Sequence, residues 1–483
     1  MIWTAHDRRP APLHASGVGA TVPVMLQRLT AEDTRILSLE SGAIVGHTCK
    51  VLIAERRCDD VVGALRRHVL ERLGLAPQLG FRLLPTPWHL AAPAWVDDPA
   101  VDPAGQIRWV DRHAPLARTE LPELVAELMA TRLDRSRPLW QLDVAELEDD
   151  LVAAIWRVHH ALADGAASLA FGETAVWDDV PHPAPPSVHA PRPGPVPGAF
   201  ELLATAMAEH AQTAAAGVSR AAEALVSRAH WREVARELVA ARPTLGRELA
   251  RAGADSPLDA TIGRRRRVAF VDMELDEIRA TAHAFDGVTV NDVVLAMIAG
   301  SLRRWLELRH ADNGTGPAPM RIQVPVSLHT PGDHQANRDS FLNVDLPVGE
   351  PDPVRRLLAV NEETVDRKRH HDAEELYALF ADLAHLSKHL YRRAYEAASD
   401  PHVFALSISN VRGPAEPRYL ASGRILEFYS LAEVAPRHAL RLSAWSFSGR
   451  FSFGLCADAD AVPDLDVIAS GLTESLSELR ALV

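Results

Sequence analysis

The sequence predicts a mixed α/β protein of two layered domains joined by a proline-rich crossover. Three observations carry that prediction. In both halves, segments of helical period alternate with short apolar or alternating segments. Residues 178–198 hold eight prolines, which suits a linker or long crossover rather than a packed element. The chain has 483 residues, 47% hydrophobic and 24% charged, enough for two cores of ordinary size.

The elements follow in order. Residues 1–22 lack periodicity and read as a loose extension. Thr30 caps a short helix to Leu37, with Asp33 in its first turn. His47–Ala54 alternates as a strand. Asp60–Leu73 is an amphipathic helix with Val61, Leu65, Val69 and Leu73 on one face. Irregular structure is expected through Pro103, then a helix over Leu121–Leu133 and a strand around Gln141–Val144. The run Leu151–Trp156 is too short for a membrane span and fits a buried strand. Phe200 to about Leu249 is Ala-rich and reads as two or three helices broken at Gly217 and Pro243. Glu and Arg are mixed along it, which favours a helical cover over a membrane-facing surface.

A second domain is expected from Asp259. It holds strands at 267–273, 321–328, 341–347, 403–409, 425–431, 440–447 and 450–457, the last two joined through Ser448-Gly449. Helices are expected at 275–285, 293–306, 353–393 and 464–482, with Asn291 or Asp292 capping the second. The expected boundaries are 1–22 for the extension, 23–180 for the first domain, 181–258 for the connector and 259–483 for the second domain.

Composition narrows function. The net charge of −13 argues against nonspecific nucleic-acid binding. Lysine occurs only at Lys50, Lys368 and Lys388, so anionic ligands would meet guanidinium groups. Cys49, Cys58 and Cys456 form no CxxC pair, which fits a reducing, cytoplasmic setting. No secretory signal is expected, since the N-terminal residues show no apolar h-region, and no membrane-spanning helix is expected, since no run of about 18 apolar residues occurs. Peripheral contact with a membrane or lipid-droplet surface stays open.

The chemistry centres on His159-His160-Ala161-Leu162-Ala163-Asp164-Gly165, at the end of the 151–158 strand. Adjacent strand residues point to opposite faces, so the two histidines meet different surroundings. Asp164 supplies a turn acceptor, and Gly165 tolerates close backbone approach. Three readings fit the stretch alone: a loop with satisfied histidines and a capping Asp164, a metal site, and acid–base catalysis. Ligands at metal spacing are missing, so no metal is expected. A neutral imidazole near pKa 6.5 can take a proton from an alcohol.

Further elements fall in a telling order. Pro138-Leu139-Trp140 precedes the histidines; Asn291-Asp292, Val324-Pro325-Val326-Ser327 and Ser409-Asn410-Val411-Arg412-Gly413-Pro414 follow them. With the HHxxxDG stretch, this series resembles the bacterial wax ester synthase/diacylglycerol acyltransferase family, from about Leu29 to the C-terminus. The same HHxxxDG motif also occurs in condensation domains and other relatives of chloramphenicol acetyltransferase. Arg412 stands where that family usually has proline, and Ile107–Val110 replaces its usual His-containing segment.

The resemblance implies two chloramphenicol-acetyltransferase-like domains with a tunnel between them, and acyl transfer from acyl-CoA to diacylglycerol or a long-chain alcohol. It makes His160 the general base, His159 its supporting neighbour, Asp164 a structural residue held by an Arg or backbone partner, and Gly165 a close-packing helix start. Pro138, Leu139, Trp140, Asn291, Asp292, Ser409 and Asn410 become candidate substrate-side residues, with Asn291 and Ser409 as candidate oxyanion donors. No cofactor is implied beyond acyl-CoA as co-substrate. The run Arg264–Arg267 reads either as a phosphate contact through Arg264 and Arg265 or as a solvated charge cluster. The chain shows neither a Gly-x-Ser-x-Gly elbow nor a credible cysteine nucleophile, so direct transfer is expected rather than an acyl-enzyme. Two other readings compete: a condensation-type acyltransferase with a carrier-borne donor, and a lipid-binding or lipid-droplet protein on the same fold.

Overall fold

The structure, a computed structural model, describes residues 27–98, 102–163, 165–183, 196–209, 256–309, 318–327, 339–370, 372–386 and 396–482, with a few single positions between them, including Thr244 and Glu248. The extension 1–22 and most of the Ala-rich stretch lie outside these residues. The chain divides into two compact units, Met1–Val226 with Pro414–Glu433, and Ser227–Gly413 with Val434–Val483. The excursion 414–433 therefore belongs with the first unit, not the second as expected.

The first unit is built on a six-stranded sheet in the order 419–420, 423–431, 47–55, 151–159, 140–147, 107–109. Its two central strands, His47–Glu55 and Leu151–His159, pair antiparallel over their full length, His47 opposite His159. Both are almost wholly buried on both faces, including the polar residues His47, Thr48, Lys50 and Arg157. Trp140–Leu147 pairs with Leu151–His159 through a tight turn in which Asp149 and Asp150 adopt φ of 61° and 54°. Aspartate tolerates that left-handed region better than most residues. On the opposite side, 423–431 pairs with 47–55, although nothing in its alternating pattern says which sheet it joins.

The helix Gly165–Ala175 leads to Trp177, whose indole makes edge contacts with Trp156 at 5.7 Å and Phe428 at 5.5 Å between centroids. Gly172 makes room for that indole: a Cβ there would lie 1.8 Å from Trp177. A second sheet of three strands includes Phe81–Leu84 and Ala94–Asp97, where irregular structure was expected. Phe81 and Leu83 are buried at alternate positions, whereas Ala94, Trp95 and Val96 are buried in succession, and the prolines that flank these short runs hide both.

The second unit holds a six-stranded sheet in the order 339–346, 320–327, 406–412, 440–447, 450–458, 266–274. Leu406–Arg412 runs parallel to both neighbours. The helices Val290–Arg309 and Leu465–Arg480 pack closely where Gly300 faces Ser475 and Gly471 faces Ser301. The stretch expected to be helical over 353–393 holds two helices, Pro353–His370 and Asp372–Leu386. No described helix is long and apolar enough to cross a membrane.

Candidate active site

The two histidines occupy the point where the central strands of the first unit end together. After His159 the chain turns back: Leu162 and Ala163 donate their backbone N–H groups to the His159 carbonyl at 2.9 and 3.2 Å. Ala161 and Leu162 pack with Leu37, Trp95, Leu133 and Leu139.

His159 is buried and both ring nitrogens are engaged. Nδ1 accepts the Ala161 backbone N–H at 3.0 Å, so the ring proton must sit on Nε2. Nε2 in turn donates to Glu40 Oε1 at 2.8 Å. Glu40 ends the helix Ala31–Leu39, which starts at a Thr30–Asp33 capping box. Its carboxylate also meets Arg135 Nη2 at 2.9 Å and Arg132 Nε at 3.8 Å. Burial alone would raise the Glu40 pKa; the hydrogen bonds from His159 and Arg135, with the Arg135 charge, outweigh burial and hold it below the usual carboxylate range.

His160 is half-buried, and its backbone N–H donates to the Gly46 carbonyl at 2.9 Å. Gly46 has φ of +79°, and a Cβ on it would lie 2.5 Å from His159 Nε2 and 3.2 Å from Glu40 Cγ. Only glycine fits there. The Val45 and Gly46 N–H groups donate to the two oxygens of Glu433 at 2.7 and 2.6 Å. Arg157, on the histidine strand, is buried; it pairs with Asp143 at 2.8 Å and donates to the carbonyls of Leu128 and Thr131 at the end of the helix Leu121–Met129.

The remaining candidates separate. Asp164 lies outside the described residues. Gly165 starts its helix, but a Cβ there would meet nothing within 4 Å, so close packing does not explain the glycine. Pro138, Leu139 and Trp140 are core residues. The Leu139 carbonyl accepts the His159 N–H at 2.9 Å, and Trp140 Nε1 donates to the Leu79 carbonyl at 2.7 Å. Their contacts here are packing beneath the histidine strand, since their side chains have no open face.

In the second unit, Asn410 Nδ2 donates to Asn291 Oδ1 at 3.1 Å, which brings two candidates together. Ser409 is half-buried beside them, opposite Ser443 in the parallel register. The helix cap is Thr289 rather than Asn291 or Asp292. Thr289 Oγ1 accepts the Asp292 N–H at 3.3 Å, and Asp292 Oδ2 accepts the Thr289 N–H at 2.8 Å. Asp292 is fully buried and also accepts from Thr364 and Asn361. Burial opposes its ionisation, but these bonds prevail and depress its pKa. Gly413 packs against Trp445, where a Cβ would lie 2.4 Å from the Ser446 carbonyl oxygen. That close approach explains the glycine of the Ser409–Pro414 turn.

The arginine run is largely neutralised. Arg265 pairs with Asp460, and Arg267 with Asp466 at 2.5 Å. Arg266 is buried 3.9 Å from Asp458. Arg264 and Arg265 are exposed, but three acids of the 458–466 segment offset the positive potential that phosphate recognition would use.

Glu40, Gly46 and Glu433 were not singled out from the sequence. Gly46, a glycine directly before a strand, was the one local signal; Glu40 and Glu433 carry no local mark of their roles.

The chain matches the wax ester synthase/diacylglycerol acyltransferase catalytic domain over residues 29–294 and the C-terminal domain of the same family over residues 335–480. It is 30% identical over 469 residues to a Mycobacterium tuberculosis protein provisionally named a diacylglycerol O-acyltransferase, covering 94% of this chain and 97% of that one. A second protein of that organism, with the same provisional name, is 29% identical over 476 residues, covering 94% and 96%. Among solved structures, the wax ester synthase/diacylglycerol acyltransferase of Marinobacter aquaeolei VT8 superposes with a TM-score of 0.68 at 22% identity, covering 94% of this chain and 99% of that one. The first condensation domain of the calcium-dependent antibiotic synthetase superposes with a TM-score of 0.58 at 16% identity, covering 94% and 96%. Both likenesses show a shared fold, the one expected of chloramphenicol-acetyltransferase relatives.

Proposed function

Because this chain belongs to the wax ester synthase/diacylglycerol acyltransferase family, and is an acyltransferase, we propose that it transfers a fatty acyl group from acyl-CoA to diacylglycerol, to a long-chain alcohol, or to both, with His160 as general base. The observation that carries the assignment is the engagement of His159. Its Nδ1 is held by the Ala161 N–H and its Nε2 by Glu40, so neither nitrogen is poised to take a substrate proton. The acid–base role falls to its half-buried neighbour. His159 closes the strand and His160 opens the turn after it, so the two rings have separate surroundings.

The proposed step needs a base and an oxyanion donor. His160 takes the hydroxyl proton as the alcohol oxygen attacks the thioester carbonyl. A C–O bond forms, and the tetrahedral oxyanion collapses with loss of the C–S bond. The departing CoA thiolate receives the proton back from the imidazolium. No acyl-enzyme is required. Association with a membrane or lipid-droplet surface during this cycle is part of the proposal.

The test offers radiolabelled palmitoyl-CoA with diacylglycerol and hexadecanol side by side, to wild type and His160→Ala. Wild type is expected to form product, with the variant slower by about 10²–10⁴-fold. The product ratio names the acceptor. Full activity in the variant would remove His160 from the mechanism. No product from the folded wild type would turn the reading to a carrier-borne donor or a binding protein.

A further inference from the structure

We infer that Glu433 is a positioning residue for acyl transfer: its buried carboxylate holds the loop on which the His160 backbone rests. The inference rests on the assignment of His160 as base. It starts from the excursion 414–433, which adds two edge strands to the sheet of the first unit. The pairing of 423–431 with 47–55 ends at Leu431 opposite Cys49. Two residues further on, Glu433 places one carboxylate oxygen on the Val45 N–H at 2.7 Å and the other on the Gly46 N–H at 2.6 Å.

A carboxylate is a costly way to close a sheet edge. Glu433 is only 8% exposed, while Leu431 and Val434 around it are apolar and buried. Burying a charge is unfavourable unless donors replace its water, and two backbone amides do so here. What the charge fixes is a loop that touches both histidines. The Gly46 carbonyl receives the His160 N–H at 2.9 Å, and the Gly46 α-carbon faces the His159 ring so closely that no side chain fits between them. At φ of +79° Gly46 stands in a region that glycine adopts readily, and the Glu433 carboxylate bonds its N–H there. The excursion thus docks along the backbone of the 47–55 strand, and one side chain beyond that pairing holds the loop under the His160 backbone. A displacement of about 1 Å of a reacting group can cost about 10²-fold in rate.

The test compares wild type, His160→Ala, Glu433→Gln and Glu433→Ala in palmitoyl-CoA transfer, well below their melting temperatures and with folding checked by circular dichroism. Glu433→Ala is expected to lower kcat about 10- to 100-fold, with KM for palmitoyl-CoA unchanged within about twofold. Glu433→Gln, which keeps one acceptor oxygen, falls between it and wild type. A role in folding alone would move the melting temperature without this kcat order. Folded Glu433 variants with wild-type kcat, or with only KM raised, overturn the inference while an inactive His160→Ala leaves the function standing. If Glu433→Ala does not fold, the Gln variant decides by the same criterion. An active His160→Ala overturns the reading beneath both.

Discussion

Alanine at Gly46 tests the histidine site with a single methyl group. The new Cβ would stand 2.5 Å from His159 Nε2, 3.1 Å from Cε1 and 3.2 Å from Glu40 Cγ, on a backbone at φ +79°. Two costs follow. The left-handed conformation costs an L-residue roughly 1–2 kcal/mol. The contacts force the His159 ring and Glu40 apart, and overpacking of that kind costs roughly 1–3 kcal/mol. Together they predict a loss of about 2–5 kcal/mol. Gly449 isolates the first cost, because its φ is +83° and a Cβ there would meet nothing within 4 Å. Gly449→Ala is therefore expected to lose only about 1–2 kcal/mol and to keep wild-type acyl transfer. Urea unfolding midpoints and palmitoyl-CoA kinetics for both variants check this, with Gly46→Ala expected to lose at least about tenfold in kcat. Equal destabilisation of the two variants, with Gly46→Ala fully active, would refute the placement of the His159 ring against Gly46.

Two pH-dependent outcomes follow from the buried carboxylates. The Glu40 pKa is depressed in the folded state, so its contribution is present above the unfolded value of about 4.3 and is lost as pH falls through the lower folded value. Glu40→Gln should accordingly lose less stability than wild type in acid unfolding below about pH 5, and parallel curves would count against the His159–Glu40–Arg135 network. Glu248 is the opposite case: burial pushes its pKa up to about 7 against the backbone N–H of Asn343 and the charge of Arg367, which lower it. Its folded value lies above the unfolded one, so its contribution is present at low pH and is lost as pH rises toward 7. The midpoint of Glu248→Gln relative to wild type should rise between pH 5 and pH 8; a constant difference would show that Glu248 is ionised throughout that range.

Much of the site was legible because its parts are local. His159 and His160 had to face different surroundings once the run before them read as a strand, and the turn through Ala161–Ala163 follows directly. The helices 61–72, 275–283 and 465–480 were legible from their apolar spacing and agree with expectation to within a few residues at each end. The cap of the 290–309 helix is Thr289, two or three residues before the expected Asn291 or Asp292. Threonine and aspartate form a reciprocal pair there, and the sequence offers three polar residues within four positions as candidates. The short strands 81–84 and 94–97 were missed because four residues barely establish a period, and prolines beside them argue for loop.

By itself, the sequence determined the mixed α/β class, the motif series that marks the family, and the position of the histidine pair at a strand end. Tertiary structure alone decided which sheet the 423–431 strand joins and which side chains hold the histidines. Glu40 reaches His159 across 119 residues of chain, and Glu433 reaches Gly46 across 387. Periodicity and capping record only what a residue does with neighbours a few positions away. A hydrogen bond between distant segments leaves no such trace, because its partners meet only after burial has folded the sheet between them.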